Sequence, residues 1–178
     1  MSPDDIKFLF ENLNFGKLCL DICVTDPNFK YQGFVEAKEL IIHGDNAWID
    51  LRNMNCQKVK LFNELKDLEQ IEQTLKNWTQ GTSMENLEFL SIELTKFNPE
   101  EHLKDLKHQN TRFSHEDIRK RIVLVSNGCV LRDIQRESDG RWGTVCFDFY
   151  WHHFYFIVWT PEKLKECCQE TRNILGLE

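Results

Sequence analysis

The sequence lacks any apolar run long enough to cross a membrane. The most aromatic segment, residues 147–159, is interrupted by one aspartate and two histidines, whereas a membrane-spanning helix needs about 18 or more consecutive apolar residues. A secretory leader is also missing, since Asp4 and Asp5 stand where such a leader carries cations. We therefore expect neither secretion nor a membrane partner.

Glycine and proline are scarce, with 8 and 4 residues respectively, which excludes collagen-like and low-complexity chains. Hydrophobic residues make up 41% and charged residues 29% of the 178 residues, a composition typical of folded chains of about one domain. We predict one domain over 1–178, with a repeat-like part over about 1–110 and a β meander with a closing helix over about 111–178.

Basic residues are in deficit, because 22 Lys and Arg against 29 Asp and Glu give a formal net charge of -7. Phosphate backbones attract positive charge, so this balance disfavours nucleic acid as a partner unless a basic patch forms in the fold. The densest basic run is Arg119–Arg121. We interpret it as a solvated edge that precedes a strand, not as a phosphate site.

Cysteine does not form a disulfide or zinc pattern. There are seven cysteines, an odd number, and neither the Cys19 to Cys23 spacing nor the adjacent pair Cys167 and Cys168 matches a zinc site. We expect reduced thiols, a cytoplasmic or nuclear location, no metal and no cofactor.

The standard catalytic templates are absent, including the Gly-x-Ser-x-Gly elbow and both kinds of Gly-rich phosphate loop. One possible catalytic arrangement remains. Cys146 and Asp148 share a strand face and His152 could approach them, which would suit a small cysteine-dependent enzyme; equally, the three residues could be polar interruptions of an aromatic sheet. We expect no catalytic residue.

Helical patterns are clear at three places. Ser2 as cap and Pro3 at the first position predict a helix that extends to Asn12. Apolar residues at helical spacing predict a second helix over 68–79, with a cap and capping box that begin at Asp67 and a stop at Gly81. A third helix is predicted to begin after Asn98.

Short runs with strand periodicity separate these helices. They lie at 17–22, 39–42, 58–61 and 87–94. Alternating strands and helices imply parallel strands with crossover connections, and the irregular spacing of about 20 to 30 residues resembles degenerate leucine-rich repeats. We therefore predict an α/β fold that begins with irregular leucine-rich-repeat-like parallel strand and helix units.

The last third of the chain has an antiparallel pattern. We place strands at 122–125, 129–136, 142–149 and 154–159. Asn127-Gly128 predicts a hairpin between the first two, and Gly140 lies in the next turn. Thr160 and Pro161 then begin one closing helix. The second part is thus predicted to be an antiparallel β meander followed by a C-terminal helix.

Trp151, His152 and His153 form the best candidate for an exposed contact with a partner. They fall in a predicted turn, where an aromatic side chain can remain at the surface. A buried role for Trp151 is an equal alternative. The adjacent histidines would point to opposite faces of a strand, so we interpret them as polar turn residues and not as metal ligands.

Several motifs in order resemble the F-box-associated domain, type 2, of the expanded nematode F-box proteins. The motifs are Asn46–Leu51, Met54–Val59, Trp78–Gly81, Leu87–Ile92, Asp133–Arg141 and Phe156–Trp159. The likeness extends from about Leu18 to Trp159.

The resemblance implies a substrate-recruiting module of cullin-RING ubiquitin ligases, in which an F-box binds the Skp-type adaptor and the associated domain holds the target. The segment before Leu18 is too short for an F-box, so we expect a protein target and no contact with a Skp-type adaptor. We therefore predict a protein-binding module that is not an enzyme. The alternatives are the cysteine-dependent enzyme and a non-functional truncated paralogue.

Overall fold

The computed structural model describes residues 1–44, 47–65, 67–122 and 125–177. Within these ranges eight strands form one mixed sheet in the order β1-β2-β3-β4-β8-β7-β6-β5. The strands are β1 Phe15–Ile22, β2 Val35–Gly44, β3 Met54–Glu64, β4 Phe89–Glu93, β5 His108–Asn110, β6 Cys129–Gln135, β7 Trp142–Asp148 and β8 His153–Trp159. The helices are α1 Pro3–Asn12, α2 Glu69–Gln80, α3 Pro99–His102, α4 His115–Arg119, α5 Pro161–Lys165 and α6 Gln169–Leu175.

The first half of the sheet is parallel. Strands β1 to β4 pair in sequence order and run in the same direction, which confirms the predicted parallel strands. Their connections differ from one another, however. Residues 23–34, all of them described, contain no helix before β2; a 3-10 turn, Leu51–Asn53, precedes β3; α2 precedes β4. A repeat array stacks similar units, so the leucine-rich-repeat-like description is not confirmed.

The second half is antiparallel, as predicted. Strands β6, β7 and β8 form a meander, and β8 pairs antiparallel with β4, which joins the two halves into one sheet. The turn between β6 and β7 contains Gly140 at φ +72, a left-handed conformation that glycine adopts at low cost.

The predicted hairpin around Asn127-Gly128 is wrong. Positions 123 and 124 of its first strand lie outside the described residues, and Ile122 and Val125 are not in a strand. The other neighbour of β6 is β5, so that edge is already occupied. The segment before β6 is instead held by Ser126, whose backbone N–H and Oγ donate to the Asp148 carboxylate at 2.5 and 2.9 Å.

The single closing helix is also a wrong prediction, because it divides into α5 and α6. Cys168 between them has extended backbone with φ -63 and ψ 160. Its N–H donates to Asp117 Oδ1 at 2.8 Å and so leaves the helical hydrogen-bonding pattern. The break brings Thr171 of α6 to α4, where its Oγ1 donates to Asp117 at 2.5 Å.

The helix boundaries agree with the sequence at α1 and only partly at α2. Ser2 forms the predicted cap of α1, here within a capping box, and Gly81 ends α2 at φ 72. The predicted capping box at Asp67 is wrong: Leu68 stands at the cap position without a side-chain bond. The two predicted side chains contact each other instead, because Gln70 Nε2 donates to Asp67 Oδ2 at 3.1 Å, while Gln70 Oε1 accepts from the Leu51 N–H at 3.3 Å.

The two faces of the sheet are covered by different helices. Residues of α1 and α2 pack on the first face, where Phe154, Phe156 and Val158 of β8 point. Alternate residues of β8 point to the second face, where residues of α4, α5 and α6 pack over the antiparallel half. The second face of β3 and β4 remains uncovered beside these helices, and a cleft lies there.

Candidate functional site

The cleft has a volume of about 640 Å³, and three neighbouring strands form its floor. Side chains from β3, β4 and β8 lie there in three rows, set by the strand pairing. The rows are Lys58, Phe89 and Ile157; Lys60, Ser91 and Tyr155; and Phe62, Glu93 and His153. The last row falls at a register shift in β3 after Leu61.

The walls of the cleft come from segments that follow α4 and β7. Lys120, Arg121 and Ile122 line one side, together with Lys163 of α5, and Trp151 stands at one end. Arg119 and Lys120 are exposed, which agrees with the interpretation of Arg119–Arg121 as a solvated edge, whereas Ile122 after them is not in a strand and positions 123 and 124 lie outside the described residues. The fold brings the side chains of Lys120 and Arg121 to a shared cavity.

Positive charge dominates the described lining of the cleft, with five cationic side chains and one carboxylate, Glu93. Lys163 is fixed in place, since its Nζ donates to the carbonyls of Glu88 and Val158 at 3.0 and 2.9 Å. Burial lowers the pKa of Lys163, while the Glu88 carboxylate, 3.3 Å away, opposes that shift. The lysine therefore stiffens the wall of the cleft.

The remaining cations differ in how they are paired. Arg121 Nη2 donates to Glu166 at 2.6 Å, and Lys60 donates to Glu39 at 2.9 Å. Lys58 is exposed and forms no ion pair with any residue in the described ranges. Lys120 pairs with Glu116 at 3.0 Å. Among these four described cations, the cleft thus contains one open ammonium group, that of Lys58, and three cations whose partners lie outside its lining.

Aromatic side chains supply the apolar part of the cleft. Phe62 is 43% and Trp151 is 49% exposed. The ring of His43 stacks on Phe62 with centroids 4.5 Å apart. Tyr155 lies beside Phe89 on the floor, with ring centroids 6.3 Å apart. Exposed apolar groups that cluster in this way are typical of interaction surfaces.

Ser91 and His153 share a hydrogen bond of 2.9 Å on the floor. Burial lowers the pKa of His153, and the charge of Asp148 opposes that shift. Asp148 does not complete a catalytic triad: its carboxylate accepts from Ser126 and from the N–H groups of Tyr150 and Trp151, and among the described residues no hydrogen bond joins it to His153. The pair therefore lacks an orienting acid.

The three contact candidates from the sequence do not share one surface. Trp151 and His153 line the cleft. His152 has a positive φ of 51, and its carbonyl accepts from the Leu94 N–H at 2.8 Å. Its side chain lines a separate cavity of about 290 Å³ beside Phe97.

The possible cysteine site is not assembled either. Cys146 is buried, and its hydrogen bond with Cys129, together with burial, raises the pKa of the Cys146 thiol far above its ordinary value. The Asp148 carboxylate accepts from the N–H groups of Tyr150 and Trp151 in the turn that follows β7. His152 lines the separate cavity. The arrangement does not offer a thiolate beside a base, which nucleophilic catalysis by cysteine requires.

The sequence analysis missed most of the floor of the cleft. Lys58, Lys60 and Phe62 alternate along β3, and this period of two was the available signal that they share a face. What could not be read from the pattern was the pairing of β4 with β8, which adds Tyr155 and His153 to the same surface.

In the part of the chain that the structure describes, no group of three or more His, Cys, Asp or Glu side chains could hold a metal ion. None of the described helices has the length and apolarity that a membrane crossing requires. All seven cysteines fall in the described ranges, and each carries a free thiol.

Comparison with known proteins gives one match. Residues 28–92 match the family model described as F-box associated, a family that acts in protein interaction within F-box proteins. No curated protein and no solved structure matches the chain. The matched segment contains the β3 and β4 side chains Lys58, Lys60, Phe62, Phe89 and Ser91, which form more than half of the floor of the cleft. The match agrees with the resemblance drawn from the sequence over residues 28–92, which are similar to F-box-associated sequence.

Proposed function

We propose that the chain is a protein-binding module that resembles the substrate-recognition domain of F-box subunits of cullin-RING ubiquitin ligases. One observation carries the proposal: the segment that matches the F-box-associated family supplies most of the described floor of the cleft of about 640 Å³. The family match supports protein binding as the class of function, and the cleft supplies a surface on which a partner can bind.

The chemistry of the cleft suits a protein partner. Energetically important residues of protein interfaces are enriched in Trp, Tyr and Arg near the centre of the contact. Trp151, Tyr155 and Arg121 all line this cleft. Trp151 and His153 are accordingly the candidates for partner contact, whereas His152 lies on the separate cavity.

We further propose that the module acts as one domain, in the cytoplasm or nucleus, on a protein target and not on nucleic acid or a membrane. The continuous sheet across both halves supports a single domain. The free thiols suit a reducing compartment. The leucine-rich-repeat-like arrangement of β1 to β4 remains part of this proposal, supported by their sequential parallel order.

Affinity purification tests the proposal. The full chain, tagged and expressed in cells, is crosslinked chemically before purification, and captured proteins are identified by mass spectrometry. We expect a reproducible partner that a tagged, unrelated acidic protein of similar size does not capture. Recovery of no specific partner would contradict the proposal and would favour the alternative of a non-functional truncated paralogue.

A further inference from the structure

We propose that the cleft binds an acidic peptide segment that carries an aromatic or large apolar side chain. The inference rests on the proposed function and specifies the chemistry of the partner. It is argued from the charge of the cleft, from the availability of its cations and from the placement of its aromatic side chains.

The charge of the cleft is opposite to that of the whole chain. The formal net charge is -7, yet among the described residues the lining contains five cations and one acid, Glu93. At physiological ionic strength charges are screened beyond about 8 Å. A carboxylate that enters the cleft therefore experiences the lining cations together with the acids paired with four of them, Glu39, Glu88, Glu116 and Glu166, while the more distant acidic surface acts weakly on it. The unpaired ammonium group of Lys58 is thus the main attraction for it.

Two of the cations are available to a ligand. Lys58 is exposed and forms no ion pair among the residues that the structure describes. Arg121 is paired with Glu166, whose side chain is 62% exposed, and ion pairs at such exposed sites contribute only about 0–1 kcal/mol. A peptide carboxylate can replace Glu166 on the guanidinium at little cost. Lys163 keeps its internal partners and is not expected to move.

The apolar side chains lie between and beside these cations. Phe89 and Ile157 follow Lys58 in the same row across the floor, and adjacent strands are about 4.8 Å apart. A carboxylate on Lys58 therefore places a neighbouring peptide side chain over Phe89 and Tyr155. Phe62 and Trp151 extend the apolar surface toward one end. A volume of about 640 Å³ suits a short segment better than a folded surface.

Single-stranded nucleic acid is the main competing ligand, because cations and aromatic rings also bind phosphates and bases. The partners of the cations argue against it. Glu39, Glu88 and Glu166 surround the cleft, so a continuous phosphate chain that leaves the cleft meets negative charge on several sides. Isolated carboxylates on a peptide avoid most of this repulsion.

A displayed library of random dodecapeptides, selected against the immobilised full chain, tests the inference. We expect the enriched sequences to combine Asp or Glu with Phe, Tyr or Trp. The strongest enriched peptide, labelled with fluorescein, is then titrated with the protein by fluorescence anisotropy. Its affinity should fall as the salt concentration rises, because the carboxylate contacts are screened.

Matched variants locate the binding site. Lys58→Glu with Lys60→Glu should weaken peptide binding by about tenfold or more. Lys7→Glu with Lys104→Glu makes the same change in net charge at two exposed lysines outside the cleft and should leave the affinity within about twofold. Phe62→Ala should also weaken binding, whereas Phe8→Ala, at a residue that is 63% exposed on α1, should not. Melting curves for all variants confirm that each is folded.

The inference is overturned if no peptide is enriched, if the enriched peptides lack acidic residues, or if cleft and control variants bind equally. Tighter binding of a dodecameric single-stranded oligonucleotide than of the peptide would also overturn it. The proposed function, protein binding, is tested separately by capture of the cellular partner. A partner that the Lys58→Glu with Lys60→Glu variant captures as well as wild type would leave protein binding intact and refute only the acidic-peptide assignment.

Discussion

Ser91 Oγ lies 2.9 Å from His153 Nε2, and this hydrogen bond connects β4 to β8 where the parallel and antiparallel halves of the sheet meet. Ser91 pairs with Tyr155 in the strand register, and His153 pairs with Glu93, so the bond is diagonal across the ladder. It holds the imidazole against the floor of the cleft and contributes to the junction of the two halves.

Stability should depend on the protonation of His153. Burial lowers the pKa of His153 below its ordinary value of 6.5, so the unfolded chain binds this proton more readily than the folded chain. Above pH 6.5 His153 is neutral in both states and does not reduce the free energy of unfolding. Below pH 6.5 the unfolded chain takes up this proton first, so the free energy of unfolding falls as the pH is lowered. We expect the free energy of unfolding to fall more between pH 7 and pH 5 in wild type than in His153→Gln.

Urea unfolding of both proteins at several pH values measures this difference. Carboxylates with lowered pKa values lose their contribution only at more acidic pH, and they are common to both proteins. Parallel pH profiles for wild type and His153→Gln would show that His153 is not held neutral by burial.

Asp117 is expected to be a main stabilising residue of the C-terminal segment. Its buried carboxylate accepts from Thr171 Oγ1 at 2.5 Å, from Ser114 Oγ at 2.8 Å and from the Cys168 N–H at 2.8 Å. Burial alone would raise the pKa of Asp117, but these hydrogen bonds outweigh burial and lower it. Asp117→Ala leaves buried donors without an acceptor and should cost about 3 kcal/mol. Chemical denaturation measures the change.

The neighbouring Glu116→Ala variant is the control for Asp117. The Glu116 side chain is 67% exposed and pairs with Lys120 at 3.0 Å, so its removal should change stability by no more than about 0.5 kcal/mol. Equal effects of the two substitutions would disprove the role assigned to Asp117.

Gly140 should be intolerant of β-branched residues. A Cβ at this position would meet only Gln135 Nε2 at 3.6 Å, so space is available, but φ is +72. The cost of Gly140→Val is therefore conformational, about 1–3 kcal/mol. Gly16→Val is the matched control, because Gly16 lies in β1 without a positive φ and a Cβ there meets nothing within 4 Å. Thermal melting should show a loss of stability for the first variant and none for the second.

The cysteines should differ in reactivity in the order of their exposure. Cys19 and Cys23 are exposed, whereas burial raises the pKa of Cys56 to about 11 and Cys146 is fully enclosed. At neutral pH iodoacetamide should label the first two well before the last two, as followed by mass spectrometry. If Cys146 were labelled faster than Cys19, the result would support the alternative of a cysteine-dependent enzyme.

Local signals in the sequence predicted the elements that depend on neighbouring residues. Ser2 and Pro3 fixed the start of α1, and the helical spacing of apolar residues located α2. The hairpin at Asn127-Gly128 failed because a tertiary bond, from Ser126 to Asp148, competes with the strand. The closing helix failed for a similar reason, since the hydrogen bond from Cys168 to Asp117 breaks it.

The candidate site was only partly predictable, because it depends on pairing between distant strands. Trp151 and His153 were chosen for their position in a turn, and both lie at the cleft. The strand at 58–61 was predicted, but its lysines were given no role, because the aromatic residues that lie beside them come from β4 and β8. Arg121 and Lys163 are far apart in sequence, and only the packing of α5 beside the segment after α4 brings them together, with Arg121 Nη2 donating to the Lys163 carbonyl at 3.3 Å.

The most direct test of the account is site-specific photocrosslinking in cells. Phe62 at the cleft and Phe8 on α1 are both exposed aromatic residues, and each is replaced in turn by p-benzoylphenylalanine in the full chain. The account predicts that irradiation links the captured partner to position 62 and not to position 8. Crosslinking from position 8 alone, or equally from both positions, would contradict binding at the cleft.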